Sequence, residues 1–185
     1  MKPLVLVPIA EGFEEIEAVT IIDVLRRAGA EVIVAHLRDR HVVGRSGITV
    51  HSDCSLDDDG VLTRQYQMVV LPGGLPNAHI LRDDPRVQNL LQRTASSGGV
   101  VAAICAAPAA LKSAGLLEGK RATSYPGALN GHPEQLLSDE PVVIDGNITT
   151  GRGPATAMAF SLSLVRSLFG EKTAVKIAAD VLAEN

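Results

Sequence analysis

No tryptophan occurs in the 185 residues, and aromatic residues of all kinds make up 3% of the chain. A protein that stacks unpaired bases needs aromatic platforms, and almost none are available. An excess of positive charge is missing too. Lys and Arg number 17 against 21 Asp and Glu, a formal net charge of -4, and the bases are scattered along the chain. No basic stripe can follow a phosphate backbone, so nucleic acid is not an expected partner. No apolar run reaches the length of a bilayer span, so no membrane is expected either.

Other absences narrow the chemistry. Neither G-x-G-x-x-G nor G-x-x-x-x-G-K-[ST] occurs, which removes the common phosphate-binding fingerprints. The five histidines (His36, His41, His51, His79 and His132) form no pair at zinc-ligand spacing, and none is singled out as a catalytic partner. No metal is expected. Cysteine is scarce: only Cys54, in the polar stretch HSDCSLDDDG, and Cys105, at the end of an apolar run. Two thiols in such a chain read as free rather than bridged. The N-terminal MKPLVLVPIAEGFEE has a short apolar run that ends in acids without a small-residue cleavage site. It reads as a core strand, not a signal peptide, and a cytoplasmic location is the expectation.

What is present is a globular composition, 46% hydrophobic and 21% charged, which excludes a disordered chain. The length fits one domain, residues 1–185. Continuous apolar runs at Leu4–Ala10, Val32–Leu37, Met68–Leu71 and Val100–Ile104 predict strands buried on both faces, and Val142–Asp145 a further strand. Val42–Val43 and Ile48–Val50 suggest a hairpin around Gly44–Gly47. Helical periodicity covers Glu14–Arg27, Pro85–Ser97, Pro108–Ala114, Pro154–Phe169 and Glu171–Ala183. Strand and helix alternate, so the expected fold is α/β, a flavodoxin-like doubly wound sandwich with a mostly parallel sheet and helices on both faces. Loops at the carboxyl ends of the strands are then the binding region: Glu11–Glu15, Pro72–Ala78 and Cys105–Pro108.

In VVAAICAAPAALKSAG a strand runs into Cys105 and a helix starts at once. That is the layout of a nucleophile elbow, and a thiol at a helix N-terminus should have a lowered pKa. A buried inert cysteine fits the same spacing. The glycines of MVVLPGGLPNAHI could turn N–H groups toward an oxyanion, or make only a tight turn. In EGFEEIEAV the acids Glu11, Glu14 and Glu15 suit a helix N-terminus. A half-buried carboxyl could stay protonated and shuttle a proton, but the pattern does not choose between Glu14 and Glu17. Arg152, in TTGRGPATA, fits an anion site or a structural loop. Tyr125 and Pro126 could line the crevice.

Taken together, EGFEEIEAVTIIDVLRRAG, VVLPGG, VAAICAAPAAL and TTGRGPATA resemble the ThiJ/PfpI superfamily, in the branch of the parkinsonism-associated deglycase and bacterial YajL. The resemblance spans nearly the whole chain. It implies a homodimer, with Cys105 as the oxidisable nucleophile and Glu17 as the protonated carboxyl beside it. It implies that Gly74, next to Gly73, and Ala106 offer backbone N–H groups to an oxyanion, and that Arg27 lies near the dimer interface and the site entrance. It implies glyoxalase activity without glutathione, converting methylglyoxal to lactate, or repair of carbonyl-damaged protein, with no cofactor. A redox-sensing stress protein or chaperone, whose Cys105 becomes a sulfinate, is the alternative. Three positions depart from the pattern. Tyr125 stands where that branch often has His, the family's second interface arginine is matched only by Arg45 one place early, and Ala106 replaces the His that follows Cys in protease-like members. The last argues against a peptidase.

Overall fold

In the computed structural model, which describes residues 2–183, seven strands form one sheet and two more form a separate hairpin. In chain order the strands are β1 (Leu4–Ile9), β2 (Glu31–His36), β3 (His41–Val43), β4 (Thr49–His51), β5 (Cys54–Ser55), β6 (Met68–Leu71), β7 (Val100–Ile104), β8 (Val142–Asp145) and β9 (Ile148–Gly151). The helices are α1 (Glu15–Arg27), α2 (Leu75–Asp83), α3 (Pro85–Ser96), α4 (Pro108–Ser113), α5 (Ala157–Phe169) and α6 (Glu171–Asp180). The large sheet has the order β5-β2-β1-β6-β7-β9-β8, and β3 pairs with β4 alone. Only β8 runs antiparallel in the large sheet, against β9.

Burial explains which runs become central. Every side chain of β6 is buried, and β1 and β7 are buried beyond their first residue, because helices cover both faces. Helices α1, α5 and α6 pack together on one face, and α2, α3 and α4 on the other. The α1 stripe of Ala18, Ile21 and Leu25 is buried against the sheet. Helix α3 starts where Asp84 accepts the Arg86 N–H at 2.9 Å, with Pro85 at the first helical position. The doubly wound flavodoxin-like expectation holds.

Three local expectations differ. Residues 72–78 are not one loop: Leu75 to Asp83 form α2, which also carries His79. The strip TTGRGPATA contains β9, whose Thr149 and Thr150 are buried, since strand pairing on both sides satisfies its backbone. The polar stretch around Cys54 is not irregular throughout: it holds the short edge strand β5, paired with β2.

The chain leaves β1 for β2 on one side, and β6 lies on the other. The crevice at the carboxyl ends of β1 and β6 is therefore the switch point where such sheets bind ligands. Three segments meet there: α1 after β1, Gly73–Gly74 after β6, and Cys105 after β7.

Candidate functional site

Cys105 has φ +64°, in the left-handed region that side-chain-bearing residues rarely occupy. Its neighbours hold it there. The Cys105 N–H donates to the Gly151 carbonyl of β9 at 2.9 Å, and its carbonyl accepts the Tyr125 N–H at 2.8 Å. Such strain costs about 1–3 kcal/mol and persists only where surrounding structure enforces it. The small residues Ala106 and Ala107 let helix α4 start at once. The result is a strand–turn–helix elbow with a thiol at its apex, 8% exposed.

Glu17 projects from the first turn of α1 and is fully buried. Its Oε2 accepts the Gly73 N–H at 2.7 Å. Its Oε1 is buried with no N–H or O–H donor, and the carboxyl's remaining interaction is with the Cys105 thiol. Burial raises the Glu17 pKa to about 7, against the pull of the Gly73 N–H and the Cys105 contact. A carboxylate with an unpartnered buried oxygen is costly, so both geometry and burial favour the protonated acid.

The lowered pKa expected for Cys105 is corrected. Burial first, and the Glu17 charge second, push the thiol up to about 12. Helix α4 has only six residues, and its dipole does not outweigh these causes. The nearby Gly74 and Ala106 N–H groups pull the other way. Protonating Glu17 removes the second cause. The two groups therefore titrate as a pair, and the first proton leaves near 7.

The glycines are required by contact. A Cβ on Gly73 would lie 2.6 Å from both the Cys105 Cβ and the Glu17 Oε2. Gly74, at φ +87°, has the Gly12 carbonyl 2.2 Å from where its Cβ would be. The β1–α1 and β6–α2 connections thus touch backbone to backbone, and the Glu14 N–H donates to the Gly73 carbonyl at 3.0 Å.

Asn77 fastens these connections, and residue patterns gave no sign of it while its segment read as a loop. The helical reading, with Gly74 before Leu75-Pro76 and Ala78 and Leu81 facing inward, was the available signal. Asn77 is fully buried. Its Oδ1 accepts the Ala10 N–H at 2.7 Å, and its Nδ2 donates to the carbonyls of Pro72 at 2.8 Å and Gly73 at 3.0 Å. Asn77→Ala removes the side-chain partner of the Ala10 N–H and the Pro72 carbonyl and leaves the Gly73 carbonyl with the Glu14 N–H alone, so calorimetry should find the melting temperature lowered by about 5–10 °C. Asn77→Asp, of equal size, keeps the acceptor but turns oxygen lone pairs on two carbonyls, and should lose about as much. Unchanged melting of both variants would remove Asn77 from this role.

The remaining expected residues spread out. Tyr125 is 55% exposed, tied to the elbow by its N–H, and with Pro126 lines a groove beside Ala106. Arg152 pairs with Asp139 at 2.7 Å and is directed to the loop before β8. Arg27 bonds Asp23 at 2.6 Å at the far end of α1, ten residues and roughly 15 Å along the axis from Glu17. Within the chain, neither arginine is brought to Cys105. Glu14 and Glu15 do more than complement a dipole. Glu14 pairs with Arg45 at 3.3 Å, and Glu15 accepts the Ser46 N–H at 2.7 Å, pinning the β3–β4 hairpin to α1. Among the described residues, no three His, Cys, Asp or Glu gather as metal ligands.

A parallel sheet with a cysteine elbow at its switch point, facing a buried carboxyl from the first helix, defines a class of flavodoxin-like α/β proteins built around one thiol. Comparison with known proteins gives the family. The DJ-1/PfpI family matches over residues 3–167, and the chain belongs to it. It is 39% identical over 177 residues to DJ-1 homolog B of Arabidopsis thaliana, covering 95% of this chain and 40% of that protein. It spans less than half the length of each of two Arabidopsis relatives, DJ-1 homologs B and A. It is 34% identical to the glutathione-independent glyoxalase DJR-1.2 of Caenorhabditis elegans, over 92% of this chain and 90% of that one. The structure of oxidized Toxoplasma gondii DJ-1 superposes with a TM-score of 0.94 at 39% identity, covering 99% of this chain and all of that one.

Proposed function

We propose that this protein is a cysteine-dependent enzyme acting on reactive dicarbonyls, a glyoxalase that needs no glutathione. The observation that carries this reading is the Cys105–Glu17 pair, buried together at Gly73 with the Gly74 and Ala106 N–H groups close by. The name of the C. elegans relative supports it. From the pair holding one proton, Cys105 passes that proton to the Glu17 carboxylate as its sulfur adds to the aldehyde carbon of methylglyoxal, and Glu17 delivers it to the carbonyl oxygen, giving a hemithioacetal. The two N–H groups steady the oxyanion as it forms. Glu17 then moves the C1 proton to C2 through an enediol, which turns the adduct into a lactyl thioester. Water cleaves the thioester, lactate leaves and the thiol is restored. Carbonyl adducts on proteins are substrates of the same chemistry, in the manner of a deglycase.

The enzyme works in the cytoplasm, where two free thiols are stable, and as a homodimer. Exposed Ile16 and Val19 on α1 lie beside exposed Ile48 on the hairpin that Glu15 pins, an apolar patch suited to a second copy. The test is lactate formation from methylglyoxal by the reduced protein without glutathione. Many turnovers per molecule support the enzyme. None, with Cys105 reduced, transfers the same residues to the second reading, a redox-sensing stress protein or chaperone. In that reading Cys105 is oxidised to a sulfinate, and the unpartnered buried oxygen of Glu17 beside the sulfur is the observation that favours it, because a protonated carboxyl there donates to the sulfinate oxygen.

A further inference from the structure

A groove of about 690 Å³ opens beside the elbow. Its lining includes Leu75 and Ala106, which directly follow Gly74 and Cys105, and Tyr125, whose N–H bonds the Cys105 carbonyl. A three-carbon dicarbonyl fills little of that space, which is the size of pockets that hold larger molecules. Its charge is one-sided. Arg82 of α2 and Lys112 of α4 contribute two cations, His79 adds an imidazole, and no Asp or Glu lines it. The whole chain carries a net charge of -4, so the groove is not a sample of its average surface. Lys112 Nζ donates to the Asn130 carbonyl at 2.5 Å, a neutral partner that leaves its charge uncompensated. Arg82 binds Asp83 through Nε at 2.7 Å and one terminal nitrogen at 2.9 Å. Asp83 stands outside the groove and is largely exposed, so solvent screens the pair, and the other terminal nitrogen of Arg82 is not used in it.

We infer that this groove binds an anionic group, a carboxylate or a phosphate, carried by the carbonyl compound that reacts at Cys105. The substrate class is then an aldehyde or ketoaldehyde with an acidic tail. The inference rests on Cys105 as the reacting group.

Alkylation of Cys105 tests it without relying on turnover. Iodoacetate carries the negative charge, and iodoacetamide is its neutral counterpart. The ratio of their rates on the wild type should exceed that of a small free thiol about fivefold. Arg82→Ala combined with Lys112→Ala should lower the ratio about fivefold to tenfold and leave the iodoacetamide rate unchanged. High salt should have the same effect as the double variant. Inorganic phosphate and acetate, as competitors, should slow iodoacetate selectively, and the stronger one identifies the anion. A ratio equal to that of the free thiol and indifferent to both substitutions overturns the groove. So does protection by neither anion. Selectivity without methylglyoxal turnover would sink the glyoxalase and keep the groove; turnover without selectivity would do the reverse.

Discussion

Cys105→Ser should lower kcat/KM for lactate formation from methylglyoxal about a thousandfold or more. The loss is chemical. A serine hydroxyl keeps the shape of the thiol, but it is a far weaker nucleophile and cannot give its proton to a carboxyl that titrates near 7. The elbow's backbone hydrogen bonds to Gly151 and Tyr125 do not involve the side chain, so the fold should survive. A melting temperature within a few degrees of wild type makes the kinetic result interpretable. The same variant addresses the alternative, because mild peroxide should add two oxygens to Cys105 in the wild type and none at position 105 in the variant. Turnover that persists in Cys105→Ser would exclude the thiol from the reaction.

Glu17→Gln should separate the proton carrier from the hydrogen bond. Gln accepts the Gly73 N–H and presents a neutral donor to the sulfur, but it carries no proton between carbons. Turnover should fall about 10²–10⁴-fold. Alkylation of wild-type Cys105 should rise with pH around a midpoint near 7, where the pair loses its first proton. Without the acceptor the midpoint should move upward, past the ordinary thiol value of about 8.5, because burial still raises the thiol. Stability gives an independent reading. The folded-state pKa of Glu17 is about 7, above the unfolded value of about 4.5, so its contribution is complete below pH 4.5 and lost as pH rises through 7. Wild type should lose about 3 kcal/mol across that window, and Glu17→Gln should not. Urea titrations of both proteins at pH 4.5 and pH 8 measure the difference. Parallel losses in both would refute a protonated Glu17.

Much of this was legible in residue order. Parallel central strands are buried on both faces, so Leu4–Ile9, Met68–Leu71 and Val100–Ile104 announce themselves as unbroken apolar runs. The elbow shows because a strand, a cysteine, two alanines and a proline follow one another. Glu17 shows less clearly: periodicity put it beside the α1 stripe, and only the family resemblance chose it over Glu14. Helix α2 was hidden because its start, PGGLPN, carries the residues of a turn. Strand β9 was hidden because Thr and Gly, buried only by pairing with β7 and β8, leave no hydrophobic run.

By itself, then, the sequence determined the α/β alternation, the sheet's core strands, and the placing of one thiol at a strand–helix junction, because each is a local matter of periodicity and turn residues. The tertiary structure decided what that thiol can do. Glu17 and Gly73 are 56 positions apart, and Cys105 lies further on, yet β1, β6 and β7 stand side by side and bring all three to one crevice. Burial in that crevice raises the pKa values of both titrating groups, reversing the expectation for the cysteine. Exposure, desolvation and the sharing of a proton between side chains arise from atoms distant in the chain, and no local pattern encodes them.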